Sequence, residues 1–177
     1  MATLTKSAPT SQSGAAMSND HFDLTPMFEQ TNCLNEDTTN SHANILKDGQ
    51  GILESDADEQ LILRFNFKSA VKVAELQIGC PEGETAPTKM RVFINTADLG
   101  FDEAEDLKPV QELELSESQM AGEGNAVKLN FVKFQYVSNL TLFISENNGG
   151  DTTQLSSLKI FGTPVIQMNM AEFKKQG

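Results

Sequence analysis

"EQLILRFNF", Glu59 to Phe67, has a period of two, broken only by Ile62. Leu61, Leu63, Phe65 and Phe67 fall on one face, and the residues between them fall on the other. A period of two over nine residues is the signature of a half-buried β-strand. The pattern recurs down the chain. "VKVAELQIG" starts with Val71 and Val73 and resumes with Leu76 and Ile78, a phase change that predicts a bulge near Ala74 and Glu75. "KMRVFIN" offers Met90, Val92 and Ile94, and "VQELEL" ends with Leu113 and Leu115. "AVKLNFVKF" gives Val127, Leu129 and Phe131, then Val132 and Phe134 on the other phase. "NLTLFIS" supplies Leu140, Leu142 and Ile144, and "LSSLKIFG" supplies Leu158 and Ile160. Seven or eight short strands separated by Gly, Asn and Pro predict an all-β chain, an antiparallel β-sandwich or jelly roll. Helix is expected only in single turns, at "FDEAEDL" (Phe101 to Leu107), "SESQM" (Ser116 to Met120) and "NMAEFKKQ" near the C-terminus.

The 177 residues suffice for one domain with a real core. Residues 1–20, "MATLTKSAPTSQSGAAMSND", are poor in large apolar groups and are expected to be a flexible tail or linker; residues 21–177 form the domain. Thirteen basic residues against 25 acidic ones leave a net charge of −12. Phosphate binding needs clustered Lys and Arg, so neither nucleic acid nor an anionic membrane surface is an expected partner. A partner with a basic surface would be steered toward this chain. No stretch is long and apolar enough to span a bilayer, and no hydrophobic secretory segment opens the sequence. Cys33 and Cys80 lie 47 positions apart and form no CxxC or zinc pattern. They read as buried free thiols in a reducing compartment, the cytoplasm or nucleus.

Just before the first strand, Glu54, Asp56, Asp58 and Glu59 crowd into "LESDADEQ". An EF-hand loop starting at Asp56 would need Gly at its sixth place and Glu at its twelfth, where Leu61 and Phe67 stand instead. A looser calcium loop stays open as an alternative, but no metal or other cofactor is expected. The plain reading is a solvated strand entrance with Asp56 or Asp58 capping local backbone N–H groups. The second surface candidate is "ENNGGDTTQ", Glu146 to Gln154. Asn147 to Asp151 is turn chemistry, and the length of the loop suits exposed recognition. Catalysis finds little support. His21 and His42 lie in the tail and an early loop, with no nucleophile motif beside them. Sugar sites favour aromatic platforms, whereas this chain has no Trp and one Tyr, and its 11 Phe residues fall mostly on apolar strands.

Several long segments occur in a recognisable order. They are "NCLNED" (Asn32 to Asp37), "LESDADEQLIL" (Leu53 to Leu63), "MRVFINTADLGFDEAED" (Met90 to Asp106), "VKFQYVSNLTLFISENNGGDTTQLSSLKIFGTPV" (Val132 to Val165) and "MNMAEFKK" (Met168 to Lys175). Over Phe22 to Lys175 the chain resembles the PITH domain, the proteasome-interacting domain that follows thioredoxin in a thioredoxin-like protein. The resemblance implies a galactose-binding-like jelly roll. It also implies a non-enzymatic module, a monomer, that docks on the regulatory particle of the 26S proteasome in cytoplasm and nucleus. The partner-binding residues expected are Glu54, Asp58 and Glu59 from the acidic run and Asn147, Asn148, Asp151, Thr152 and Thr153 from the second loop. A thioredoxin half with WCGPC is not in this sequence, so disulfide reduction does not carry over. The chain reads either as an excised domain or as a natural protein lacking thioredoxin. The alternative function is a jelly-roll module binding sugar or calcium.

Overall fold

The structure, a computed structural model, describes residues 21–46, 51–120 and 125–166. The predicted N-terminal tail and the predicted C-terminal helical turn lie outside the described residues. Among the described residues there are ten strands: β1 (Phe22–Asp23), β2 (Phe28–Leu34), β3 (Leu53–Glu54), β4 (Leu61–Gly79), β5 (Pro87–Ile94), β6 (Gln111–Glu114), β7 (Val127–Lys128), β8 (Val137–Asn147), β9 (Gln154–Leu155) and β10 (Ser157–Pro164). An α-helix, α1, spans Phe101–Asp106.

β4 organises everything else. The two strands expected at Leu61–Phe67 and Val71–Gly79 are one continuous strand of 19 residues. Its first half pairs with β2 on one edge and β8 on the other, and β5 and β6 follow β8. Its second half pairs with β10 and β7, and β1 follows β10. All these pairings are antiparallel. Between Asn66 and Val71 the β4–β8 register breaks, and the strand passes from one layer to the other. Leu61, Leu63, Phe65 and Phe67 from the first half and Val71, Val73, Leu76 and Ile78 from the second enter one apolar core. This is the predicted sandwich, with the predicted inner faces.

The predicted bulge is also present. Phe161 pairs with Glu75 and Gly162 with Val73, which leaves Ala74 as the extra residue on β4. Its carbonyl accepts the Leu129 N–H at 2.9 Å, so the unpaired group is not left unsatisfied.

Two sequence expectations need correction. "AVKLNFVKF" makes only the two-residue β7 and then a 3-10 turn at Phe131–Lys133. Val127, Leu129 and Phe134 reach the core, whereas Phe131 and Val132 are exposed. β8, expected to bury one face, buries both. Leu140, Leu142 and Ile144 face the main core, and Phe143 enters a second cluster with Ile62, Phe93, Leu99 and Ala104. Helix α1 covers that outer face. The Glu103 carboxylate accepts the Gly100 N–H at its start (2.9 Å), and Arg91 Nη1 donates to the Ala104 and Glu105 carbonyls at its end (3.0 and 2.8 Å).

Candidate functional site

The two surface candidates meet. β3, from the acidic run, pairs antiparallel with β9, from the second loop, with Leu53 opposite Leu155 and Glu54 opposite Gln154. Leu53 and Leu155 are fully buried, so the ribbon is anchored in the core beneath it. Around this junction the polar side chains knit the loops together. Thr152 Oγ1 and Gln154 Nε2 both donate to Glu54 Oε2, at 2.8 and 3.0 Å. The Ser55 hydroxyl accepts the Thr153 N–H at 2.8 Å, and Thr153 Oγ1 donates to the Glu59 carbonyl at 2.6 Å. Ser55 and Thr153 are themselves buried.

The candidates therefore divide into two roles. Glu54 accepts three side-chain bonds, counting the weaker one from Asn40 Nδ2 at 3.3 Å. Asn147 Nδ2 donates to the Gly150 and Thr152 carbonyls, closing its own loop. Thr153 is inaccessible. These residues, with Thr152, build the junction. Asp58, Asn148 and Asp151 are exposed and Glu59 is half-exposed. Asp58 is also the capping carboxylate, accepting the Gln60 N–H at 3.0 Å and the Asn35 amide at 2.9 Å. Asp56, the other capping candidate, is exposed and its carboxylate bonds no described residue. Among the described residues, no ion pair reaches Glu54, Asp56, Asp58, Glu59 or Asp151. The junction thus presents acidic groups that no described residue pairs in an ion bridge. No cluster of three or more His, Cys, Asp or Glu side chains suited to a metal forms among the described residues.

Both thiols are free. Burial pushes the Cys33 thiol far up, and Glu36 adds to the effect; burial, with Glu117, also raises Cys80. A raised thiol is a poor nucleophile at neutral pH, because the thiolate is the attacking species. Among the described residues no helix is long and apolar enough to cross a membrane.

One polar feature escaped the sequence reading. On the outer face of the first layer, Asn32 of β2, Arg64 of β4 and Thr141 of β8 lie side by side across the strands. They line a cavity of about 120 Å³ that the 96–98 loop closes on one side. In the sequence Arg64 and Asn66 read as the ordinary wet face of an alternating strand. Only the register opposite Asn139 and Thr141 reveals a pocket.

The antiparallel sandwich has the architecture of a galactose-binding-like jelly roll. Its architecture is similar to CBM32-3 from a family 31 glycoside hydrolase of Clostridium perfringens, at a TM-score of 0.56 and 14% identity, over 84% of this chain and 98% of that one. The chain belongs to the PITH domain family, whose model matches residues 16–177. It is 35% identical over 151 residues to Thioredoxin-like protein 1 of Schizosaccharomyces pombe, covering 82% of this chain and 52% of the relative. It is 30% identical over 141 residues to PITH domain-containing protein 1 of Homo sapiens, covering 76% and 65%. The chain thus spans between about half and two thirds of the length of these relatives.

Proposed function

We propose that this PITH domain is a non-enzymatic interaction module that docks on the regulatory particle of the 26S proteasome, in the cytoplasm and nucleus. Longer relatives would use it to carry a thioredoxin to that site. The observation that supports this reading most is the junction itself. Two loops about 100 residues apart in sequence are tied into one surface whose exposed carboxylates form no ion pair among the described residues. Such a surface suits a basic patch on a partner, since unpaired like charges repel in the free protein and are relieved in the complex. Asp58, Glu59, Asn148 and Asp151 are the proposed contact residues, joined by Asp56. Glu54, Asn147, Thr152 and Thr153 hold them in place.

The test neutralises contacts without loosening the junction. Asp56→Asn, Glu59→Gln and Asp151→Asn combined should leave the melting midpoint within about 1 °C of wild type, because none of these carboxylates bonds a described residue. Capture of purified proteasome on the immobilised domain should fall about tenfold or more. Undiminished capture would remove the acidic surface from the account. A bound calcium ion would instead raise the free domain's midpoint by mass action; equal midpoints in calcium and in chelator are expected.

A further inference from the structure

The turn at Phe131–Lys133 holds apolar residues in solvent: Val132 is 80% exposed. Leu107, just past the end of α1, is 47% exposed. Between the segments that follow Leu107 and flank Val132 runs an open groove of about 500 Å³. Lys108, Pro109, Val110 and Gln111 form one bank, and Asn130 and Lys133 form the other. Both banks are fixed to the fold. Val110 packs against the core and donates its N–H to the Val92 carbonyl at 2.8 Å. Pro109 has a locked φ and no N–H to satisfy. Gln111 Oε1 accepts the Asn130 N–H at 2.7 Å and so ties one bank to the other, while the Lys133 N–H closes its turn on the Asn130 carbonyl at 2.8 Å.

The charge of the groove runs against that of the molecule. In a chain of net charge −12, Lys108 and Lys133 are exposed and form no ion pair among the described residues. The acid in the lining, Glu112, is already engaged by Arg91 Nε at 3.1 Å. Lys89, by contrast with the two groove lysines, is paired with Glu146. The groove therefore offers two unpaired ammonium groups beside the apolar surface of Pro109 and Val110, with Leu107 and Val132 next to them in the chain. We infer that it is a docking site for a short polypeptide segment that carries acidic side chains next to apolar ones. The carboxylates would pair with Lys108 and Lys133, and the apolar side chains would cover Val110 and Val132. Pockets of roughly 300–1,000 Å³ hold drug-sized ligands, the bulk of a few side chains, so the space suits a short segment. A concave groove fits a chain better than a flat bilayer, and two lysines are too few for the phosphate array of a nucleic acid. Exposed ion pairs contribute little alone, so charge and apolar contact are both required. The groove shares no residue with the acidic junction, so it stands or falls independently of the docking proposal.

The uniformly ¹⁵N-labelled full chain is titrated with N-acetylated, C-amidated Asp-Leu-Glu-Leu-Asp. Its uncharged isostere, Asn-Leu-Gln-Leu-Asn, and a form without apolar side chains, Asp-Gly-Glu-Gly-Asp, serve as controls. The first peptide should shift the backbone amides of Val110, Gln111, Asn130 and Lys133 saturably, and each control should bind about fivefold more weakly or worse. Lys108→Gln combined with Lys133→Gln should keep the melting midpoint, since both side chains are exposed, and weaken the first peptide about tenfold. The charge-reversed pair, Lys108→Glu with Lys133→Glu, should instead prefer Lys-Leu-Lys-Leu-Lys. No shift of the four amides, equal binding by either control, or undiminished binding by the Gln variant would overturn the inference. Two other occupants would overturn it as well. Co-sedimentation with phosphatidylserine vesicles that the Gln variant loses, without peptide binding, would assign the surface to a membrane. Self-association of the chain that the Gln variant loses would assign it to the acidic end of a second copy.

Discussion

Gly162 faces the β4 bulge, and a Cβ there would run into the Lys72 carbonyl and the Val73 backbone. Neither is a flexible side chain that can step aside. Gly162→Ala should therefore destabilise the domain by about 1–3 kcal/mol, measured by urea unfolding, although alanine is ordinarily the better strand residue. At Cys33 the prediction concerns pH. Folding favours the protonated thiol, because burial and Glu36 oppose the thiolate. That contribution is complete below the ordinary thiol value of 9.0 and is lost progressively as pH rises above it. Stability should fall on the alkaline side, and Cys33→Ala should flatten that decline while leaving the neutral-pH slope unchanged. A decline of the same steepness in Cys33→Ala would remove the thiol as its source. Cys33 was legible as a free thiol from its spacing, although both thiols are half-buried rather than buried as expected. Gly162 was not, because its constraint comes from a strand about 90 positions away.

Elements were legible where one face is wet and the other dry. The first half of β4 alternates except at Ile62, which is buried on the outer face, and the Ala74 bulge announces itself as a phase slip. Sequence reading failed where that contrast is blurred. β2, "FEQTNCL", is an edge strand whose Gln30, Thr31 and Asn32 lie along a polar cavity, so it reads like a loop. The turn at Phe131–Lys133 carries apolar residues that stay exposed, so it reads like a strand. β8 is apolar on both faces because α1 covers its second face. Period-two counting registers only one of those faces. The hidden face yields a prediction: Phe143, fully buried and edge-on to Phe101 at 6.0 Å, should cost about 3–5 kcal/mol when replaced by Ala. A loss below about 1 kcal/mol would mean that α1 is a loose cover rather than part of the core.

Across the whole molecule, the acidic excess is organised by the fold. A net charge of −12 would favour basic partners wherever it was placed. Pairing β3 with β9 concentrates part of it at one end of the sandwich, on loops held by Glu54, Ser55 and Thr153. The acidic run and the second loop were each visible in the sequence as surface candidates. Their meeting was not, nor the division between residues that build the junction and residues that face outward, since both depend on long-range register. The same organisation predicts how docking responds to salt. Steered association weakens as the Debye length shrinks from about 10 Å at 0.1 M ionic strength. The most direct measurement is the association rate constant of the domain with purified 26S proteasome, taken from low to physiological salt, for wild type and for the combined Asp56→Asn, Glu59→Gln, Asp151→Asn variant. The wild-type rate should fall steeply with salt, and the variant should start about tenfold slower and vary little. Wild-type and variant rates that coincide at every salt concentration would contradict docking through this acidic end.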